Sequence, residues 1–378
     1  MNYALTTIWY ERQRFLPAVF AVSFSAILIA VQAGLMLGLF STVSVPIDKS
    51  RADVWVGYPG VRSVDLGRPI PERWASRVAA EPEVERVEIC EIGFSLWVKV
   101  SSTDAPSTPE VITVVGTKLD PNSMGTVEYL HNDPALRTKL TEPFTVAIDE
   151  SDIERLGVKK IGDQAEVSGR LVRVVGFVKG YKSLGGPYVF CSIETARVMI
   201  RDPNGSSTYI LAKCKNPEDA EKVAERLSRY KQMSAFTSED FSRRSRLHWL
   251  FTTKAGIAVG FTAILGLFVG SVVTSQTLYA ATAAFQREFA TMRAMGIPNW
   301  RLQLTVIEQS FWVGLFGLIV ALPITYGLAE VADWIGTRVW LHPGVLLATA
   351  IITMMMALGS GLLAVRSFRS VDPAHNIR

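Results

Sequence analysis

The chain has 378 residues, 49% hydrophobic and only 20% charged, with a mean hydropathy of +0.24. That is too apolar for an average soluble enzyme and indicates a membrane protein with a sizeable soluble part. The formal net charge of +4 is too weak to indicate a nucleic-acid partner.

Residues 1–16 mix Tyr3, Ile8, Trp9 and Tyr10 with Glu11, Arg12 and Arg14. They read as a cytoplasmic amphipathic segment at the membrane surface or as a basic flank of the first span. No charged residue occurs from Phe15 to Ile47. This exceeds the ~20 residues needed to cross a bilayer and the ~7–15 of a signal-peptide core. A retained first transmembrane helix is therefore expected within 17–47, with Arg12 and Arg14 holding the N-terminus inside.

Residues 48–248 carry charges, prolines, turn signals and short alternating segments, and are expected to form an extracytoplasmic α+β domain. Strands are predicted over 51–57, 84–92, 94–100, 111–115, 144–148 and 209–213, and a hairpin over 165–178 turning near Gly169. Helices are predicted over 72–80, over 151–156 with Ser151 as cap and Gly157 as stop, and over 217–230. In the last of these Ala220, Val223, Ala224 and Leu227 share one face. The pattern is two β–α–β pieces near the domain ends with a strand-rich insert between them. Ser242–His248 contains Arg243, Arg244 and Arg246 on the outer side of the second span, against the usual bias of basic residues toward the cytoplasm.

No catalytic set emerges: GxSxG, HExxH and GxxxxGK[ST] are all missing from the sequence. Asp149, Glu150 and Asp152 cluster before a helix, where acids serve its N-terminus. The loop Val178–Pro187 has the Gly and Lys of a phosphate loop without its strand–loop–helix context, and reads as a hairpin. Cys90, Cys191 and Cys214 lack CxxC spacing, and with four scattered histidines no metal site is expected. The odd count excludes a full disulfide framework, leaving one bridge or three buried thiols.

A second transmembrane helix is expected over 249–281, where Gly256 and Gly260, and again Gly266 and Gly270, have the small-xxx-small spacing of close helix contacts. The segment 282–301 is the only charged interruption between two long apolar runs. Gln286–Met295 contains good helix formers, Gly296 suits the position after the helix end, Pro298 prevents continuation, and Asn299 can cap the next helix. Arg287, Arg293 and Arg301 place it in the cytoplasm. It reads either as a short rigid helix suited to receiving a push or as a loop held at the lipid surface. The third span is 302–329, with Glu308 about two turns inside it as a mechanical candidate, or as a side chain that snorkels or pairs with Arg301 or Arg287. A short outer loop, 330–344, carries Trp334 and Trp340 at belt positions. The fourth span is 345–365, and 366–378 is a basic cytoplasmic tail.

Three stretches of the last third carry a resemblance. Arg287–Gly296 (REFATMRAMG) looks like a coupling segment of the form RE-(I/F)-x-x-x-(R/K)-A-(L/I)-G. Val306–Ser310, running on to Gly314 and Gly317, is similar to an "IE" opening of a third helix. Ala364–Ala374 resembles a closing A-x-R-A-A-R-x-x-P-x-x-A-L-R element. With the arrangement of one helix, a large outer domain and three helices, the chain resembles the MacB/FtsX-type ABC transporter permeases. The Gln276–Tyr279 run leans toward the DevC-like or haem-exporter-like branch.

The resemblance implies a membrane-helical fold (1+3 helices) with a porter-like α+β domain and a strand-rich insert. It also implies a homodimer with the second helices at its axis, Gly256, Gly260, Gly266 and Gly270 being seam candidates. A separate ABC ATPase subunit would bind at Arg287, Glu288, Phe289, Met292, Arg293, Met295 and Gly296. That partner would hold ATP and Mg, and no cofactor is expected on this chain, which is non-catalytic. Further implied are location in a bacterial inner membrane, mechanotransmission, and a membrane fusion protein with an outer-membrane channel. The cargo class is hydrophobic or amphiphilic. The alternatives are an FtsX-like regulator of a cell-wall hydrolase, which the large outer domain disfavours, and a lipoprotein-release permease. A membrane-bound enzyme is least supported.

Overall fold

The computed structural model describes residues 3–100, 108–202, 205–283, 291–292, 295–334 and 339–368. These form two compact units, one of residues 40–256 and one of residues 1–39 with 257–378.

The second of these units holds the long apolar helices. They are Arg12–Ser41, Lys254–Ala283, Asn299–Trp334 and Pro343–Phe368, each with a stretch long and apolar enough to span a membrane. Tyr3–Tyr10 is a short helix joined to the first of them at Glu11, whose carboxylate accepts from Arg14 at 2.7 Å. Small residues set the helix spacing. A Cβ on Gly317 would lie 2.6 Å from Val22, and one on Gly314 would lie 3.1 Å from Ala357. The third helix therefore packs closely on both the first and the fourth, around Ile8, Phe15, Ala18, Val22, Val313 and Ala357. The first and second helices share a polar contact: Ser25 Oγ lies 3.0 Å from both the Gly270 carbonyl and Thr274 Oγ1. The carbonyl of Gly34 accepts from the Trp340 N–H at 2.9 Å, tying the stretch after the third helix to the first.

The other unit is α+β. Eleven strands are described: β1 (Val54–Gly57), β2 (Ile70–Pro71), β3 (Val84–Lys99), β4 (Glu110–Thr117), β5 (Thr145–Asp149), β6 (Gln164–Val167), β7 (Arg170–Val178), β8 (Tyr188–Ser192), β9 (Ser206–Ser207), β10 (Tyr209–Cys214) and β11 (Ser234–Thr237). Nine of them form one sheet in the order β11-β1-β10-β3-β4-β8-β5-β7-β6. Its first four strands are all antiparallel. The helices Trp74–Ala79 and Ala220–Ser228 cross between β1 and β3 and between β10 and β11. These are the two β–α–β pieces expected from the sequence, interleaved in one sheet as a split β–α–β arrangement. All four apolar positions predicted for the second helix are buried, against Val54, Val56, Ile210 and Ala212.

β3 is where the fold changes character. The sequence predicts two strands broken near Gly93, but β3 runs unbroken for 16 residues. A Cβ on Gly93 would sit 3.2 Å from Ile200, so the glycine admits a helix against the strand and does not end it. The first half of β3 pairs with β10 and the second half with β4, while Trp97–Lys99 also pair with β6. The strands β3-β4-β8-β5-β7-β6 therefore close on themselves, and the strand-rich insert is a six-stranded ring. Its interior alternates along each strand as period 2 requires: Ile112 and Val114, Val146 and Ile148, Val172 and Val174, Val189 and Cys191. The hairpin expected to turn near Gly169 is formed between β6 and β7, and Ser168 and Gly169 both have positive φ, as a primed turn requires.

The basic residues before the second span have a structural use. Ser238–Thr252 is a helix of the α+β unit, capped by Thr237, whose side chain accepts from the Asp240 N–H. Arg246 Nε donates to Ser44 Oγ at 2.7 Å and its guanidinium pairs with Asp48 at 2.5 Å, while Ser242 Oγ donates to the same carboxylate at 2.6 Å. Arg244 donates to the Val61 carbonyl and lies over the Phe236 ring. Arg244 and Arg246 thus brace the domain.

Asp149, and not Ser151, caps the turn after β5. Its Oδ1 accepts from the Ser151 N–H at 2.9 Å and its Oδ2 from the Tyr181 N–H at 2.7 Å. The short helix Ile153–Leu156 then stops at Gly157 in the left-handed conformation, as expected. Cys90, Cys191 and Cys214 are buried and free.

Candidate functional site

The segment 282–301 is described in part. Arg287, Glu288, Phe289 and Arg293 lie outside the described residues. Thr291 and Met292 are helical. The Ile297 N–H donates to the Met292 carbonyl at 3.2 Å, and Gly296 has φ +90°. A bond from the second residue past a helix back to its last turn, with glycine left-handed between them, is the Schellman stop. The helix end predicted at Gly296 is therefore formed. Met295, just before it, is 70% exposed and Met292 is half-buried. Pro298 accepts from the Arg301 N–H at 3.0 Å as the next helix begins at Asn299. The segment thus presents an exposed methionine at an abruptly ended helix between two apolar spans.

Glu308 lies on the third helix, half-buried, with no hydrogen-bond or ion-pair partner among the described residues. The Arg301 guanidinium, a candidate partner from the sequence, stacks instead over the Trp300 ring, 5.3 Å from its centroid. The next residue, Gln309, is buried, and its Oε1 has no hydrogen-bond partner among the described residues. The seam candidates divide. Gly266 and Gly270 face Leu28 and Ser25 of the same chain at 3.3 and 3.1 Å, whereas Gly260 has open space beside it. Gly256 sits against the carbonyls of Trp249 and Leu250, at the break between the helices Ser238–Thr252 and Lys254–Ala283. Ile257, Phe261, Ile264 and Phe268 are exposed at spacings of four, three and four residues, and Leu265, Leu267 and Val269 on the other faces of this helix are exposed as well.

Charge clusters in the α+β unit are of a different kind. Glu91, fully buried on β3, accepts from Arg197 Nε at 3.1 Å, the Thr208 N–H at 3.0 Å and Thr208 Oγ1 at 3.1 Å. Arg197 also pairs with Glu72. Burial raises the Glu91 carboxyl from its usual 4.5 to about 7 despite Arg197, and Asp202 shifts upward with it. Asp152 is raised to about 6 by burial and by Asp149. Neither cluster is part of a metal-ligand set among the described residues. The sequence reading missed the Glu91 cluster, because its members are far apart in the chain. It also missed the helix Ser238–Thr252, although the Thr237–Asp240 spacing is a legible N-terminal signature.

The MacB-like periplasmic core domain family matches residues 15–230, and the FtsX-like permease C-terminal family matches residues 260–373. An uncharacterized ABC transporter permease of Mycobacterium tuberculosis is 23% identical over 98% of this chain and 97% of its own length. One of Methanocaldococcus jannaschii is 24% identical, and the matched region spans only 58% of each protein. Among solved structures, the periplasmic region of MacB from Actinobacillus actinomycetemcomitans is similar at 16% identity and a TM-score of 0.34, over 52% of this chain and 94% of that one. The extracellular domain of the noncanonic ABC-type transporter YknZ from Gram-positive bacteria is similar at 11% identity and a TM-score of 0.32, over 48% of this chain and 98% of that one. With the first family match covering more than half of the chain and the second most of the rest, this membrane protein belongs to the MacB/FtsX-type ABC transporter permeases.

Proposed function

We propose that the chain is the permease subunit of an ATP-driven exporter, working as a homodimer and driven by a separate ABC ATPase docked on the segment 282–301. Family membership implies an ATPase partner and a membrane. The observation that supports the reading is the Schellman helix end at Gly296, which stops a helix abruptly between two apolar spans and leaves Met295 exposed. In this reading ATP and Mg are held by the partner, both termini are cytoplasmic, and the membrane is the bacterial inner membrane.

The force is carried to the α+β domain by mechanotransmission. The Asp48–Arg246–Ser44 contacts support this step, since they brace the chain's way into the domain against its way out. The open face of the second helix, Ile257, Phe261, Ile264 and Phe268 with Gly260, is the proposed dimer seam. A membrane fusion protein and an outer-membrane channel complete the assembly, and the cargo is hydrophobic or amphiphilic. The Gln276–Tyr279 run supports the DevC-like or haem-exporter-like branch.

The test is association. Phe289→Asp and Met292→Asp are each expected to leave the permease in the membrane at normal yield while abolishing co-purification of the ATPase. Normal recovery of the ATPase with both variants would overturn the docking assignment.

A further inference from the structure

The outer face of the β3–β4 pair breaks the rule that a solvated strand face is polar. Phe94, Leu96, Val98 and Val100 follow one another on the outward positions of β3 and its extension. Phe94, Leu96 and Val100 are 40%, 52% and 52% exposed. Val111 on β4, 44% exposed, is the direct cross-strand partner of Leu96. Their inward neighbours are used by the fold: Trp97 fills the ring interior, and Ser95 Oγ donates to the Met199 carbonyl at 2.7 Å. Single exposed apolar residues need no explanation, but a contiguous strip does.

Contacts inside the domain locate the strip. Phe94 and the Trp249 ring both lie within 4 Å of the position a Cβ on Gly185 would take. Phe94 pairs with Thr113, and Thr113 with Tyr188. The Tyr188 hydroxyl reaches the carbonyls of Thr42 and Val43, at 3.2 Å each. Thr42 directly follows the apolar helix Arg12–Ser41, and Trp249 lies five residues before the apolar helix Lys254–Ala283. The strip thus shares one end of the domain with both points where the chain passes into spans. From Thr113 to Val111 the pair advances by about 7 Å at the strand rise, so Leu96 and Val111 lie beyond the Tyr188 level. Leu247 and Phe251 on the helix Ser238–Thr252 are also exposed near this end.

We infer that the outer face of the β3–β4 hairpin, Phe94, Leu96, Val98, Val100 and Val111, rests on the lipid surface and immerses its apolar side chains at headgroup depth. The occupant is lipid because the chain leaves this end of the domain directly into helices long and apolar enough to span a membrane, and an apolar strip there is covered without any further partner. The inference depends on membrane anchoring alone, not on the exporter reading.

The test uses the full chain in lipid nanodiscs. Leu96→Cys and Val111→Cys each add an exposed thiol to a protein whose own three cysteines are buried, so the environment-sensitive dye NBD attaches there. Arg229→Cys, on an exposed charged side chain, is the comparison site. NBD at 96 and 111 is expected to emit blue-shifted light, to lose emission when the bilayer contains phosphatidylcholine spin-labelled near the headgroup, and to resist aqueous iodide. NBD at 229 is expected to show the reverse. Iodide quenching at 96 and 111 equal to that at 229 would overturn the inference. So would shielding from iodide without loss to the spin-labelled lipid, which would mean that protein covers the strip.

Discussion

Gly116→Val is expected to destabilise the α+β domain by about 3 kcal/mol, the upper part of the range for overpacked cores. Gly116 lies on β4 where the helix Ile193–Ile200 crosses it. A Cβ there would collide with Ala196 Cβ and sit 3.3 Å from both Glu91 Cβ and the Ser192 carbonyl. Ala196 is fully buried and its methyl group cannot rotate away, so the helix itself must shift. The check is a paired one. Gly116→Ala alone is expected to lower the thermal midpoint of the domain, and Ala196→Gly in the same chain to restore part of the loss, because the two side chains compete for one space. Strictly additive losses would show that the crossing is not the constraint.

The pH dependence of stability is expected to run through Glu91. An acid whose folded pKa is raised favours the folded state most when protonated. Its contribution is fully present below the unfolded value of 4.5 and is lost as pH rises through about 7. A shift of that size corresponds to about 3 kcal/mol. Asp202 shifts in the same direction and titrates with it. The thermal midpoint of the purified protein is therefore expected to fall as pH rises from about 4.5 to about 7. Glu91→Gln, which keeps an acceptor for the Thr208 N–H while removing the charge, is expected to flatten most of that slope. An unchanged slope in the variant would place the titration elsewhere.

What the sequence makes legible is local. The helix Ala220–Ser228 follows from one apolar face, the β6–β7 hairpin from Ser168–Gly169, and the stops at Gly157 and Gly296 from glycine's freedom at positive φ. What it hides is non-local. The ring closes through Trp97–Lys99 pairing with Ala165–Val167, about seventy residues on, and no periodicity reports that. The strand at Gly93 continues because Ile200 packs on it, a tertiary reason that overrides the breaker signal. Arg244 and Arg246 look like a membrane flank until Asp48, Ser44 and Val61 are placed beside them. The candidate coupling segment is legible from its charges and its end signals. The neighbours of Glu308 are not, because they depend on which helix faces meet.

The helix stop at Gly296 connects the local chemistry to the proposed work of the molecule. A residue with a Cβ would cost about 1 kcal/mol or more in the left-handed conformation there, and the helix would run on or fray instead of ending at Met295. A segment that receives force benefits from such a fixed end, and one that merely lies on lipid does not need it. The most direct measurement is purification of the tagged protein from its own membranes in mild detergent, with identification of everything that accompanies it. An ABC ATPase in stoichiometric amount is expected, together with a membrane fusion protein. Recovery of an intact dimer with no ATPase would contradict the reading of 282–301 as the site of coupling.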